Sequence, residues 1–311
     1  MSKIVFLDEY SIAGRDLKKI TDQGEYIAYE NTAKSEVVER LKGADIAITN
    51  KVLIDGEAMR QLPDLKLICV AATGMNNVDL NAAAELGIEV KNAVGYSTSS
   101  VAETTLASAL ALARNIVYFD EYFHDGRYAK ADRAFCYDRL TFELRGKKWG
   151  IVGLGNIGRE VARLATAFGC EVRYYSTSGT KREEAYPAME LQELLAWSDI
   201  VSVHSPLNER TRDLIGSSEL RKMKTSAIII NVARGGIINE AALAEALNEG
   251  WIAAAALDVF SVEPLRESPL YDVKDRYRLL ASPHNAWSAA EAIDRLIDCV
   301  AQNILSWKEK Q

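Results

Sequence analysis

The sequence predicts an α/β protein of two domains, each built on a parallel sheet, with the second domain inserted into the first. Three observations predict it. Over the first ninety residues short β-rich runs alternate with helical patterns, the signature of a parallel sheet covered by helices. A second alternating series starts afresh at KWGIVGLG in mid-chain, which implies that another domain was built first. The final stretch, AAEAIDRLIDCVAQNILSW, is again helical and could return to pack on that first domain. The expected division is 1–98 with 285–311 for the first domain and 99–284 for the inserted one.

The elements follow in order. The first series contains the runs KIVFLD, EYIAYE, DIAITN, LKLICVAAT and IEVKNA, separated by helical segments such as SEVVERLKG and VDLNAAAELG. From Ser100 to His124 the chain has neither Pro nor Gly and reads as one long helical pattern that carries it between domains. The second series runs through KWGIVGLG, EVRYYS, DIVSVHSP, AIIINVA and AAALDVF. There are no repeats and no low-complexity segments.

At 311 residues, 48% apolar and 26% charged, the chain can bury a sizeable core. Its formal net charge of -7 argues against nucleic acid or an anionic membrane as main partner, so small anions must be drawn by a local site. The start, MSKIVFLDEY, is broken by Asp8 and Glu9 and resembles a first strand more than a signal peptide; a cytoplasmic location is expected. The run LASALALA, residues 106–113, is too short to span a bilayer. Cys69, Cys136, Cys170 and Cys299 are scattered without metal-ligand spacing, so buried free thiols and no metal site are expected.

Residues 149–179, WGIVGLGNIGREVARLATAFGCEVRYYSTSG, hold the strongest local signal. Gly153 permits a tight turn, Gly155 lets the backbone approach a pyrophosphate, and Gly158 lets a helix beginning at Asn156 and Ile157 pack on the strand. An apolar run precedes the glycines and a helical pattern follows, as a Rossmann-like unit binding a dinucleotide requires. Where such units commonly carry an acid on the ribose hydroxyls stands Ser176, followed by Thr177 and Ser178. An uncharged end of this kind does not repel a 2'-phosphate. Lys181 and Arg182 lie near enough in sequence to add positive charge.

The chain has three histidines. His124 lies among aromatic residues and reads as packed or interfacial. His204 closes a strand-like run in VSVHSP, where a cofactor contact and a structural role are equally plausible. His284, in SPHNAW, follows an apolar strand and precedes the last helix; Glu263 and Arg234 also stand just past strand-like runs. Together these three would supply an acid/base, its orienting carboxylate and a cation.

These segments resemble the D-2-hydroxyacid dehydrogenase family over nearly the whole chain. The matching pieces are AATGMNNVD, SVAETT, GLGNIG, HSPLNERT, INVARGGIINEAAL, ALDVFSVEPL and SPHNAW, in that order. GYSTSSVAE and PHNAW lean toward its glycerate dehydrogenase or hydroxypyruvate reductase branch. The resemblance implies two Rossmann-like domains, the cofactor domain inserted into the substrate domain, and reduction of a small 2-keto acid to a D-2-hydroxy acid.

It further implies that Arg234 holds the substrate's carboxylate and carbonyl oxygen, that His284 donates the proton, and that Glu263 pairs with His284. A planar guanidinium fork suits neighbouring oxygens, and a carboxylate beside an imidazole orients it and favours its charged form. Backbone amides at Thr73, Gly74 and Met75 would help hold the carboxylate, with Trp287 near the substrate. On the cofactor side the resemblance implies Asp258 at the carboxamide, Val232 and Ala233 near the ring, His204, Pro206 and Thr211 toward the adenosine half, and Thr104 as a weaker candidate. The cofactor is expected to be NAD(P)(H), with NADP(H) favoured because of Ser176. A homodimer acting on a small 2-keto acid is expected. The rival is a cofactor-sensing, corepressor-like binding protein on the same fold, which would bind the dinucleotide without turning it over; an enzyme for formate or phosphite is a third reading.

Overall fold

The computed structural model describes residues 1–179 and 185–311 and separates into two compact units, Met1–Ser97 with Ser288–Gln311, and Thr98–Trp287. The junctions fall one and three residues from the expected ones.

In the first unit, strands β1 (Lys3–Phe6), β2 (Glu25–Ala28), β3 (Ile46–Thr49), β4 (Leu67–Val70) and β5 (Glu89–Asn92) form a sheet of order β2-β1-β3-β4-β5. Every pairing is parallel. The runs IAIT and LICV are buried at all positions, which is why they carry no polar alternation: helices cover both faces of a parallel sheet. Helices α1 (Lys18–Thr21), α2 (Val37–Leu41), α3 (Gly56–Arg60) and α4 (Leu80–Glu85) are short, and α3 and α4 start on Asp55 and Asp79, whose carboxylates accept the N–H of Ala58 and Ala82. The C-terminal helix, Ala290–Lys308, packs on α1, β4 and β5. Lys91 Nζ donates to Asn303 O (3.1 Å) and Ser306 Oγ (2.7 Å), and Arg15 pairs with Asp294.

The second unit opens with α5 (Thr98–Ala113) and α6 (Ile116–His124), followed by β6 (Lys148–Val152), α7 (Asn156–Ala167), β7 (Glu171–Tyr175), α8 (Leu191–Trp197), β8 (Ile200–Val203), α9 (Ser217–Leu220), β9 (Ile228–Asn231), α10 (Glu240–Glu249), β10 (Ala254–Leu257) and β11 (Leu279–Ala281). Its sheet has the order β11-β10-β9-β8-β6-β7, all parallel. The chain leaves β6 toward β7 and returns to β8 on the other side. Strand order therefore reverses at β6, and the crevice at the carboxyl ends of β6 and β8 is where such sheets bind ligands.

Three expectations need correction. The helical pattern from Ser100 to His124 is two helices, because Asn115 takes a left-handed conformation (φ 51°) and donates its side-chain amide to Leu140 O at 3.0 Å. Asparagine tolerates that backbone with no glycine to announce it. His124 is not buried: its ring is 70% exposed, with Nδ1 2.9 Å from Asp120 O, which removes the packed alternative and leaves the interfacial one as it stood. Cys69 and Cys170 are buried, but Cys136 and Cys299 are half-buried. Among the described residues no helix is long and apolar enough to cross a membrane.

Candidate active site

The glycine loop joins β6 to α7. Gly153 (φ 95°) donates its N–H to Tyr175 O at 2.9 Å, and a Cβ on it would lie 3.0 Å from Ser205 N. At Gly158 a Cβ would stand 2.3 Å from Gly153 O, so only glycine lets α7 lie this close to the strand end. A Cβ on Gly155 would meet nothing within 4 Å. Open space therefore fronts the N-terminus of α7 at Gly155, the cap residue, which makes no side-chain cap hydrogen bond to the first amides, those of Asn156 and Ile157 among them. Uncapped helix amides are anion sites.

The end of β8 adds two buried polar atoms that have no hydrogen-bond partner among the described residues, Ser205 Oγ and His204 Nδ1. On its other side His204 Nε2 lies 2.9 Å from Ser202 Oγ, which accepts Trp149 Nε1–H at 2.9 Å. The hydroxyl can give its proton to Nε2 or take one from it, and Nδ1 on the other side of the ring has no hydrogen-bond partner among the described residues. Burial pushes the His204 pKa down to about 3, so the ring is neutral. Orphaned polar atoms beside an uncapped helix and a cradle that a Cβ would fill fit a bound dinucleotide.

Around this loop Thr211 is buried, and its hydroxyl donates to Pro206 O (2.6 Å) while accepting Asn208 N–H (2.8 Å). Thr211 thus locks the 206–211 loop; Pro206 itself is exposed. Ser176, Thr177 and Ser178 follow β7, with Ser176 Oγ 3.3 Å from Ser178 Oγ. Lys181 and Arg182 lie outside the described residues. Arg210, which the sequence did not single out, donates from Nη1 to Ser178 O at 3.2 Å.

The Arg234, Glu263 and His284 side chains stand on loops past the carboxyl ends of β9, β10 and β11. Asn231, buried at the end of β9, accepts Ala233 N–H (3.0 Å) and donates to Arg234 O (2.8 Å). It folds the turn that presents Val232, Ala233 and Arg234. The guanidinium Nη1 donates to Ala233 O at 2.7 Å. A Cβ on Gly235 would fall 1.9 Å from Phe260 C. Here the arginine turn and the loop of Glu263 lie backbone to backbone. That second loop is fastened by Glu240, whose carboxylate accepts Ser261 N–H (2.6 Å) and the hydroxyls of Ser261 (2.7 Å) and Ser268 (3.1 Å).

Glu263 accepts Phe260 N–H on Oε1 (3.0 Å) and meets His284 Nδ1 through Oε2 at 2.7 Å. His284 sits in the left-handed region (φ 56°), a conformation that costs energy in a non-glycine residue and collects at functional sites. Its N–H donates to Asp258 O (2.8 Å) and Ser282 O (3.0 Å). Asp258 is buried, and its carboxylate accepts Ser282 Oγ (2.6 Å), Asn285 N–H (2.8 Å) and Ala286 N–H (2.9 Å). Those bonds make Asp258 the anchor of the loop bearing His284. Thr104 Oγ1 donates to Ser100 O at 3.0 Å. Trp287 is packed at the edge of the core beneath α5 and α7.

In the first unit, Asn92 Nδ2 donates to Thr73 O (2.6 Å) and Thr73 Oγ1 to Ala93 O (3.0 Å). These bonds set the 73–75 loop past β4, with Met75 packed against the core. Asp8, 1% exposed, accepts the N–H groups of Asn50, Lys51 and Val52 and so holds the loop past β3. Desolvation raises its pKa, against those three amides.

A parallel-sheet nucleotide unit with an arginine and a histidine–carboxylate pair on its strand ends defines a nicotinamide-dependent oxidoreductase of small hydroxy acids. Comparison with known proteins agrees. Residues 106–286 match the family described as "D-isomer specific 2-hydroxyacid dehydrogenase, NAD binding domain", and the chain belongs to that family. It is 38% identical to a glycerate dehydrogenase of Methylorubrum extorquens over 97% of this chain and 95% of the relative. It is 36% identical to a hydroxypyruvate reductase of Blautia hydrogenotrophica over 97% and 95%. An NADPH-dependent glyoxylate/hydroxypyruvate reductase from Sinorhizobium meliloti, solved with NADP and malonate, is 26% identical and superposes with a TM-score of 0.85 over 98% of this chain and 93% of that one. The protein is an NAD(P)-linked 2-hydroxyacid oxidoreductase.

Proposed function

We propose that the protein reduces hydroxypyruvate to the D-2-hydroxy acid D-glycerate, or glyoxylate to glycolate, with His284 as proton donor, Glu263 as its orienting partner and Arg234 as the substrate clamp. The observation that carries the roles is the 2.7 Å contact between Glu263 Oε2 and His284 Nδ1. It occupies one ring nitrogen and leaves Nε2 to give its proton to the ketone oxygen. A bound reduced nicotinamide supplies the hydride to the carbonyl carbon. Arg234 pairs with the carboxylate and the keto oxygen, so positive charge lies where the oxygen becomes negative. The substrate choice rests on the resemblance to glycerate dehydrogenase and hydroxypyruvate reductase. No observation favours the corepressor-like reading.

NADPH is the cofactor the β7 end favours, because Ser176 carries no charge to repel a 2'-phosphate. The test is kcat/KM for both cofactors with hydroxypyruvate, glyoxylate and bulkier 2-keto acids, in wild type and Ser176→Asp. Wild type should use NADPH at least as well as NADH, and the variant should turn toward NADH. A tenfold wild-type preference for NADH, about 1.4 kcal/mol, would overturn the cofactor assignment; turnover of bulky acids alone would overturn the substrate.

A further inference from the structure

The 206–211 loop brings a cation to the end of β7 from a distant part of the sequence. Arg210 is held at its root, where its N–H donates to Asn208 Oδ1 at 2.9 Å, within the loop that Thr211 locks. From there the guanidinium reaches across 32 positions to Ser178 O (3.2 Å) and would lie 3.7 Å from a Cβ on Gly179. The turn it meets is itself ordered: Gly179 (φ 69°) donates its N–H to Ser176 O at 3.3 Å, and the hydroxyls of Ser176 and Ser178 are 3.3 Å apart.

We propose that Arg210, with the hydroxyls of Ser176 and Ser178, forms the subsite for a phosphate monoester on the adenosine ribose, and so determines cofactor specificity. Three observations converge. The strand end lacks the acid that would bind a ribose diol. The guanidinium spends one N–H on a neutral carbonyl, and among the described residues no carboxylate pairs with it. A guanidinium has five N–H donors in a rigid fork, so charge and donors remain for a dianion, whose geometry the fork matches. In a chain of formal net charge -7, a dianion needs a fixed local cation of this kind. Arg210 does not touch the reacting atoms; its effect is on which cofactor binds.

This inference rests on the NADPH reading, and the experiment separates the two. Binding of adenosine 2',5'-bisphosphate and of adenosine 5'-monophosphate is measured by calorimetry for wild type, Arg210→Gln and Arg210→Lys, beside kcat/KM for NADPH and NADH. Wild type should bind the bisphosphate at least tenfold tighter than the monophosphate. Arg210→Gln should remove most of that difference and lower the NADPH-to-NADH ratio of kcat/KM at least tenfold, and Arg210→Lys should restore part of both. If wild type prefers the bisphosphate but Arg210→Gln keeps that preference, Arg210 is only a tether for the turn and the proposal is overturned while the NADPH reading stands. If wild type binds both nucleotides alike and prefers NADH, both are overturned.

Discussion

At the scale of single residues, the site depends on two histidines in opposite situations. His284 is 22% exposed at its side chain and tied to a carboxylate. His204 is half-buried, held neutral by desolvation of its ring and tied to a serine hydroxyl. For His284→Ala, reduction should fall by about 10²- to 10⁴-fold, the usual worth of a positioned acid, with nucleotide affinity near that of wild type. Glu263→Gln should lose less, since an amide oxygen can still hold the ring's orientation without the carboxylate's charge. Turnover near wild type in the alanine variant would show that another group gives the proton. His204 predicts a pH effect on stability instead. Its folded pKa, about 3, lies below the ordinary 6.5, so as pH falls through that window the unfolded chain takes up a proton that the folded one refuses. Stability from the neutral ring is complete above about 6.5 and is lost on acidification, amounting to about 2 kcal/mol between pH 7 and pH 5. Urea unfolding at both pH values should show that extra loss in wild type and not in His204→Asn. Equal losses would mean that His204 titrates normally.

At the scale of elements, the strands were legible because burial on both faces of a parallel sheet leaves unbroken apolar runs such as AIIINVA, and the glycine loop because its spacing is backbone geometry. The residues that hold the site were not. Glu240 and Arg210 act on segments met only after folding, and Asn231 on its own turn; in sequence they are a helix-start acid, a loop cation and an ordinary strand-end amide. The break at Asn115 was hidden for a related reason, since its left-handed backbone is held by a carbonyl 25 positions away. Gly235 shows how such meetings set function. Its missing Cβ allows the backbone at Phe260 to lie against the turn of Arg234, so Gly235→Ala must push apart the loops that carry Arg234 and Glu263. Turnover should fall more than tenfold and the thermal midpoint by several degrees, the scale of a 1–3 kcal/mol overpacking cost, while nucleotide affinity changes little because the α7 loop is elsewhere in the unit. An alanine variant with full turnover would show that the two loops tolerate separation.

At the scale of the whole molecule, chain order and folding unit do not coincide. The last helix belongs with the first ninety-seven residues, and the inserted unit carries the glycine loop and the Arg234, Glu263 and His284 side chains. Each unit has its own core: Ile4, Ile46 and Leu67 in the first and Trp149, Ile200 and Ile228 in the second are fully or almost fully buried. Damage to one core should then leave the other intact. The C-terminal helix buries Leu296, Val300, Ile304 and Trp307, and Ile304 is 0% exposed. Ile304→Asp places a carboxylate where no water reaches, a change in the range of about 3–5 kcal/mol. Amide exchange should accelerate across β1, β3, β4 and β5 and stay slow in β6, β8, β9 and β10. Adenine nucleotide should still bind the second unit, which holds the whole of the glycine loop. Hydrogen exchange followed by mass spectrometry, with nucleotide titration on the same sample, reads both outcomes. Equal acceleration in both sheets would show that the two units unfold as one and that damage to one core does not leave the other intact.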